Sequence, residues 1–446
     1  MHRQLPREAY GVLRRAAYLA QMLRNESRTP AELAARQSKQ LCALVRHAAS
    51  QVPFYRDLYA AHGIEAASFK TFHDLQSLPM VDKQTLRAAG ASALSRDAPA
   101  ERVTIRTSGS TGEPLEFQID HRYDQWRKAQ YLRPYLSSGQ RLRDKVLRLA
   151  AHPRQRTPWY ARLGLLREWQ FDCASDPARI VEIWRQLAPQ VLQGYPASLR
   201  ALAHHCLDTG QTLVPSPRLL FADSALLTPD TRAVVEQAFD TPVIDIFGTF
   251  ETENIAYQCA AHDGYHITTD SVVLEIVRDG RPVPIGEAGE IVVTVLGNRT
   301  MPFIRYNLKD IGRLSPHRCR CGLPFPLLAV IEGRANDLIV LADGRRSSPA
   351  GILAHLMGFV DAIVQYQLRQ IEIGRFELLI VPSSRFSNAA RESIVTIIEA
   401  ALGNAKLEVR LVNAISADRS GKQRAFVTQF APDHHPLLAA HSMEIR

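Results

Sequence analysis

The sequence predicts an α/β protein: a large N-terminal domain of layered sheets and helices, residues 1–334, followed by a small α+β domain, residues 335–446. Three observations carry this. At 446 residues the chain is longer than one hydrophobic core usually supports. Between residues 100 and 330, short β-rich runs alternate with helical stretches, the pattern of layered α/β folds whose strand-end loops carry chemistry. Near Gly333-Arg334-Ala335-Asn336-Asp337 the composition resets, and a second, smaller series of elements begins.

The elements follow in order. Residues 5–100 read as mostly helical, with Leu41, Leu44, Val45 and Ala48 at three-four spacing and breaks at Pro53 and Pro79. Arginines are scattered among the apolar residues of the first helix, which lacks the uninterrupted apolar core of a secretory leader; a cytoplasmic location is expected. Strands are predicted at 146–151, 191–196, 218–224, 242–248, 272–277 and 290–296, with a helix over Thr228–Phe239. The last two strands, joined by DGRPVPIGEAG, should be antiparallel neighbours. The tail reads strand (IVQYQLRQIEI), strand (FELLIVP), helix (Asn388–Leu402) and strand (LEVRLV). There is no internal repeat, and a short hinge joins the two parts.

Composition narrows the class. The chain is 46% hydrophobic and 22% charged, as ordinary globular proteins are. No apolar run approaches the ~18 residues of a membrane span. The net charge is +9, with arginines densest from Arg141 to Arg167. No helix-turn-helix or RNP-type aromatic motif surrounds them, so no nucleic-acid partner is expected. A solvated basic face and a landing site for a polyphosphate-bearing substrate both fit that stretch.

The richest motif is Thr107-Ser108-Gly109-Ser110-Thr111-Gly112-Glu113-Pro114, after a predicted strand (RVTIRT). Small residues let backbone N–H groups converge on phosphate oxygens, and the hydroxyls add donors. The Gly-Lys-Ser/Thr ending of a Walker loop is missing. Taken alone, such a cluster also describes a flexible polar loop. Three further pieces follow it: Phe247-Gly248-Thr249-Phe250-Glu251 at a strand end, Arg305-Tyr306-Asn307-Leu308-Lys309-Asp310, and Gly333-Arg334 with Asp337. A lysine on a glycine-flanked loop, Ser420-Gly421-Lys422, comes last. Each taken singly also reads as a turn, a surface ion pair or a solvated lysine.

In this order, over nearly the whole chain, these motifs resemble the adenylate-forming superfamily of acyl-CoA synthetases, adenylation domains and luciferases. The stretches VRHAASQVPFYRDLY, QCAAHDGYHI, NRTMPFIRYNLKDIG and CRCGLPFPLLAVIEGRANDLIV are most similar to the phenylacetate-CoA ligase family, including its CapK-like capsule-biosynthesis branch. The resemblance implies an adenylate-forming N-terminal domain and a mobile C-terminal lid. It also implies roles for single residues. Ser108, Gly109, Ser110, Thr111 and Gly112, led by Thr107, would hold the ATP β- and γ-phosphates. Ser224 and Ala225 would pass beside adenine. Phe247 and Gly248 would flank the adenine and acyl pocket, with Thr249 beside them. Glu251 would hold Mg²⁺, a hard cation suited to carboxylate and phosphate oxygens. Asp310 would bind the ribose hydroxyls, assisted by Arg334. Lys422 would reach the α-phosphate and the carboxylate as the adenylate forms. Strand-end position adds His152, Tyr195-Pro196 and Phe247 as lining of the acid pocket.

The sequence departs from the family pattern in four places, the first being Phe247, where Tyr is more usual. Phe250 stands where Thr or Ser usually precedes the glutamate. Asn307-Leu308-Lys309 stands where Arg-Thr-Gly is common. DGRRSSP (343–349) replaces the usual glycine and valine-proline after the hinge.

A second constellation concerns metal. Cys259 lies three residues before His262 and seven before His266, and Cys319-Arg320-Cys321 follows about fifty residues later. Thiolates and one imidazole on neighbouring strands suit a tetrahedral zinc site, and residue spacing leaves His262 and His266 as rivals. Some members of the resembled family carry a Cys-His-Cys-Cys set here, which implies Cys259, His266, Cys319 and Cys321. With four ligands no position stays open for catalysis, so the zinc would be structural. Reduced buried cysteines beside surface histidines are the plain alternative.

The expected activity is AMP-forming activation of a small-molecule carboxylic acid by ATP and Mg²⁺, followed by transfer to coenzyme A. Transfer to an amine, hydroxyl or carrier thiol is the alternative for the acceptor, and a catalytically silent nucleotide-binding protein is the second. The identity of the acid and the oligomeric state are not legible.

Overall fold

The computed structural model describes residues 4–107, 114–151, 153–154, 157–334, 339–341, 346–347, 349–403, 405–416 and 423–429. These fall in two compact units.

The first unit comprises Met1–Gly139 and Ile246–Ile331. Its helices include Gln4–Asn25, Pro30–Gln51, Pro53–Ala61 and His121–Ser137. The second begins sharply because Thr29 and Glu32 form a reciprocal capping box ahead of Pro30. Its buried stripe of Leu33, Leu41, Leu44, Val45 and Ala48 follows the helical period that the sequence shows. Strands Arg102–Arg106 and Glu116–Asp120 pair antiparallel and so flank the Thr107–Pro114 motif. Strands Val272–Arg278, Ala288–Val295 and Tyr306–Leu314 are neighbours in that order, each antiparallel to the next. The sheet continues beyond Tyr306–Leu314 with Leu327–Arg334, which pairs with Tyr265–Ile267, which pairs with Glu253–Gln258, which pairs with the end of Val243–Thr249. A single core fills the space against the helices, from Leu41 and Tyr55 through Phe117 to Ile291, Phe303 and Tyr306.

The second unit comprises Gln140–Asp245 and Glu332–Arg446. Strands Arg167–Asp172, Lys145–Ala150, Val191–Gly194 and Leu219–Asp223 lie side by side and all parallel. Helices Pro177–Leu187, Pro196–Thr209 and Pro229–Phe239 cover them through Trp184, Leu199, Leu202, Val234 and Phe239. Proline at the first turn of all three helices suits the chain direction change from strand to helix. A separate sheet runs in the order Lys406–Leu411, Arg375–Pro382, Ile363–Glu372, Phe426–Thr428, backed by helix Asn388–Ala401.

One polar knot ties strand Ile363–Glu372 to the helices of this unit. The buried Arg200 donates to the carbonyls of Val364 (2.8 Å) and Ile363 (2.6 Å) and to the Asp230 carboxylate (2.6 Å). The Tyr366 hydroxyl donates to the other Asp230 oxygen at 3.0 Å, and the guanidinium lies 5.4 Å from the Tyr366 ring centre. Among the described residues no helix is long and apolar enough to cross a membrane.

Candidate active site

The expected phosphate loop, Ser108–Gly112, lies outside the described residues, and the chain on either side of it lies within them. Thr107 is buried, its N–H donates to the Leu115 carbonyl at 3.0 Å, and its hydroxyl accepts from the Leu115 N–H at 2.9 Å. These two bonds close the mouth of the loop from one side. His152, Asn336, Asp337 and Lys422 also lie outside the described residues. Arg334 ends strand Leu327–Arg334.

The next motif sits where strand Val243–Thr249 turns into Glu253–Gln258. A β-bulge between Phe247 and Gly248 bends the pair. A Cβ on Gly248 would stand 2.3 Å from the Glu253 carbonyl oxygen, so only glycine fits. Thr249 and Thr252 share a hydroxyl–hydroxyl hydrogen bond of 2.9 Å that tightens the turn. Phe250 is 49% exposed, whereas Glu251 beside it is 8% exposed and points its carboxylate inward. The Tyr306 hydroxyl donates to Glu251 Oε1 at 3.1 Å. Arg127, on helix His121–Ser137, donates to the Phe250 carbonyl at 2.7 Å and pairs with Glu253 at 2.8 Å.

Asp310 is buried on strand Tyr306–Leu314, where the pairing to the neighbouring strand slips between Glu290 and Val292. The slip leaves Lys309 at φ +60°, a conformation that glycine adopts freely and lysine only under strain. This is the position at which the resembled pattern has glycine. Asn307 steadies the kink, its amide donating to Glu290 at 2.8 Å and its side-chain oxygen accepting from the Lys309 N–H at 2.8 Å. Arg305, by contrast, is structural. It is buried, ion-paired to Glu275 at 3.2 Å, and donates to the Leu78 carbonyl at 2.6 Å.

In the second unit Ser224 follows the end of strand Leu219–Asp223 at φ +69°, its hydroxyl donating to Asp223 at 2.8 Å. The Asp223 carboxylate also accepts from Arg148 at 3.1 Å and Gln193 at 3.0 Å, so three adjacent parallel strands join polar ends. Ala225 follows directly. Tyr195 precedes helix Pro196–Thr209, and burial together with the Asp223 charge raises its phenol pKa. The strand-end loops of a parallel sheet are where such folds receive ligands.

The cysteine motifs converge. The ligand atoms of Cys259, His266, Cys319 and Cys321 all lie within 4.8 Å of one another, and His262 is not among them. Cys259 and Cys319 sulfurs are 3.5 Å apart, and Cys321 Sγ is 3.3 Å from His266 Nε2. Pairing of Leu327 with His266 brings the Cys-x-Cys turn over the histidine strand. Burial works against a Cys259 thiolate, but hydrogen bonds from His266, the Ala261 N–H and the two other cysteines outweigh it and bring the pKa down to about 6. Burial pushes Cys319 up to about 12. Two sulfurs about 3.7 Å apart are what ~2.3 Å tetrahedral bonds to zinc require, so the donor set fits that ion.

Sequence reasoning missed the Tyr306–Glu251 contact, the Arg127 brace and the Asp223 cluster. Tyr306 was visible only as part of the Arg305–Asp310 motif, and nothing in the local pattern singles out Arg127.

No protein-family model matches the chain. A phenylacetate-coenzyme A ligase of Aromatoleum evansii is 27% identical over 329 residues, 70% of this chain and 72% of that one. The enzyme of the same name from Thermus thermophilus is 25% identical over 385 residues, covering 82% and 85%. The chain is thus similar over most of its length to phenylacetate-coenzyme A ligases. Protein CapK of Staphylococcus aureus is 21% identical over 402 residues, covering 83% and 84%. The fold is that of adenylate-forming CoA ligases: a 2-hydroxyisobutyryl-CoA ligase in complex with an acyl-AMP superposes over 91% of each chain with TM-score 0.74 at 23% identity. An anthranilate CoA ligase superposes over 72% of this chain and 65% of its own, with TM-score 0.56 at 16% identity. Phe250 and Lys309, two departures from the resembled pattern, are both accommodated: Phe250 faces solvent and Lys309 sits in a braced kink.

Proposed function

We propose that this protein joins a small carboxylic acid to coenzyme A in two steps, with ATP consumed and AMP and pyrophosphate released. The observation that carries the reading is the buried Glu251 carboxylate, held in the same unit as the closed base of the phosphate loop and the buried Asp310. The similarity to phenylacetate-coenzyme A ligases supports the same chemistry.

In the first step a carboxylate oxygen of the acid attacks the α-phosphorus of ATP, and the bond to the bridging oxygen of pyrophosphate breaks. Charge crowds one small space, so the protein must hold groups apart and neutralise them. Ser108–Gly112 would hold the leaving pyrophosphate through backbone N–H groups. Asp310, with Arg334, would hold the ribose, and Ser224-Ala225 would pass along adenine, with Phe247, Gly248 and Thr249 flanking the pocket. Lys422 would bridge the α-phosphate and the acid. Glu251 would hold Mg²⁺, which supplies charge neutralisation at the phosphates; one carboxylate plus substrate phosphates is a common ligand set for that ion. In the second step the coenzyme A sulfur attacks the acyl carbon and AMP leaves. Residues 335–446 would act as the mobile lid, removing Lys422 and admitting the thiol.

We further propose one structural zinc on Cys259, His266, Cys319 and Cys321, and a cytoplasmic location. Kinship to CapK keeps a second acceptor in view, an amine, hydroxyl or carrier thiol. Pyrophosphate release across a panel of acids, with and without coenzyme A, separates these readings. Acid-dependent release with acyl-CoA formed is expected. Release that coenzyme A neither accelerates nor consumes favours the other acceptors, and silence across a broad panel rejects the enzyme reading.

A further inference from the structure

We infer that Tyr306 is the positioning residue of the metal-bearing carboxylate, its hydroxyl setting Glu251 for a divalent cation carried on ATP phosphates. The inference rests on the reading of Glu251 given above.

The contact is a phenol–carboxylate hydrogen bond of 3.1 Å between two buried side chains, Tyr306 at 3% exposure and Glu251 at 8%. With Oε1 engaged by Tyr306, Oε2, which takes part in none of the hydrogen bonds described, would be the oxygen offered to a cation. Mg²⁺ demands near-ideal octahedral geometry at short distance, so a carboxylate that rotates about its last bond binds it poorly. Removing the partner that orients a metal ligand typically weakens metal binding about 10–100-fold.

The phenol is itself fixed. Its ring meets Phe303 edge to face at 5.1 Å and 71°, and Phe303 meets Phe117 at 5.2 Å and 86°. Phe117 lies on the strand that leaves the phosphate loop, so the stack that holds the phenol also anchors the base of that loop. At its other end Tyr306 is bridged to Val81, whose N–H donates to the Arg305 carbonyl at 3.0 Å. The same strand, Tyr306–Leu314, carries Asp310.

Backbone and side chain of Glu251 are thus held by different groups. Arg127 fixes the chain on both sides through the Phe250 carbonyl and the Glu253 carboxylate, and Thr249 with Thr252 ties the turn. Tyr306 alone, among the hydrogen bonds described, reaches the Glu251 carboxylate. Phenylalanine would fill the same space without that bond, which makes the hydroxyl separable from the packing.

The test compares wild type with Tyr306→Phe and Glu251→Gln in the full chain. Mn²⁺ binding to enzyme with a non-hydrolysable ATP analogue is followed by electron paramagnetic resonance, and the Mg²⁺ requirement of pyrophosphate release is titrated with the best acid of the panel. Tyr306→Phe should weaken Mn²⁺ binding and raise half-saturating Mg²⁺ by about tenfold. Thiolysis of preformed acyl-adenylate should change less than twofold, since no metal-bound pyrophosphate takes part. Unchanged Mn²⁺ binding in Tyr306→Phe, with binding lost in Glu251→Gln, overturns the role of Tyr306 and spares that of Glu251. Equal loss of both half-reactions makes Tyr306 merely structural and also overturns it. Wild-type Mn²⁺ binding by Glu251→Gln removes the underlying reading instead.

Discussion

Protonation of His204 should make the second unit acid-sensitive, and the magnitude follows from where the ring sits. His204 is 2% exposed on helix Pro196–Thr209, and among the described residues its Nε2 has no hydrogen-bond partner. Burial first, then the Arg200 guanidinium one turn away, lowers its pKa from 6.5 to about 3, against a weaker opposing hydrogen bond to the Ile363 backbone. The folded pKa lies below the unfolded one, so between those values the unfolded chain binds the extra proton. Stability is complete above the unfolded pKa and falls as pH drops through the window, by up to about 1.4 kcal/mol per pH unit. Going from pH 7.5 to 5 should therefore remove about 2 kcal/mol through this group alone. The assay is denaturant unfolding of wild type and His204→Asn, which is neutral throughout and can keep a donor for Ile363. Other titrating groups cancel in the comparison, so the stability difference between the two proteins should shift by about 2 kcal/mol between those pH values. A difference that stays constant within about 0.5 kcal/mol would falsify the buried-neutral assignment.

Three further outcomes are expected. Asp230→Ala strands the buried Arg200 charge and should cost about 3–5 kcal/mol, whereas Tyr366→Phe should cost about 1 kcal/mol; thermal and denaturant melts of the two variants check the ranking. Purified protein should hold one zinc per chain by elemental analysis, and Cys321→Ser should lose it, with a lower melting temperature; a full metal complement in that variant excludes Cys321 as a ligand. Lys422→Ala should abolish acid-dependent pyrophosphate release yet keep thiolysis of a preformed acyl-adenylate, and normal adenylation by that variant would sink the lysine assignment.

Much of the fold was legible because it is encoded locally. The predicted run 272–277 and the run 290–296 became the antiparallel strands Val272–Arg278 and Ala288–Val295, since their β-rich composition and the intervening turn lie within one short stretch. The helix expected over Thr228–Phe239 formed over Pro229–Phe239, started by its proline. Residue identity singled out Glu251, Asp310 and the Thr107–Pro114 motif as candidates, because loops that handle phosphate draw on few residue types. The kink at Lys309 was not legible. Its φ of +60° contradicts the preference of lysine, and only strand slippage opposite Glu290 explains it.

What the sequence by itself determined is the order of elements and the inventory of chemical groups, both properties of neighbours along the chain. Which groups meet was decided only by tertiary structure. Cys259 meets Cys319 across 60 residues, Tyr306 meets Glu251 across 55, and Arg200 meets Ile363 across 163. Each meeting depends on strand register and helix placement, as when pairing of Leu327 with His266 selects that histidine over His262. A register shift of one residue turns every side chain of a strand to its other face, so local pattern can name the ligands and leave their convergence to the sheet.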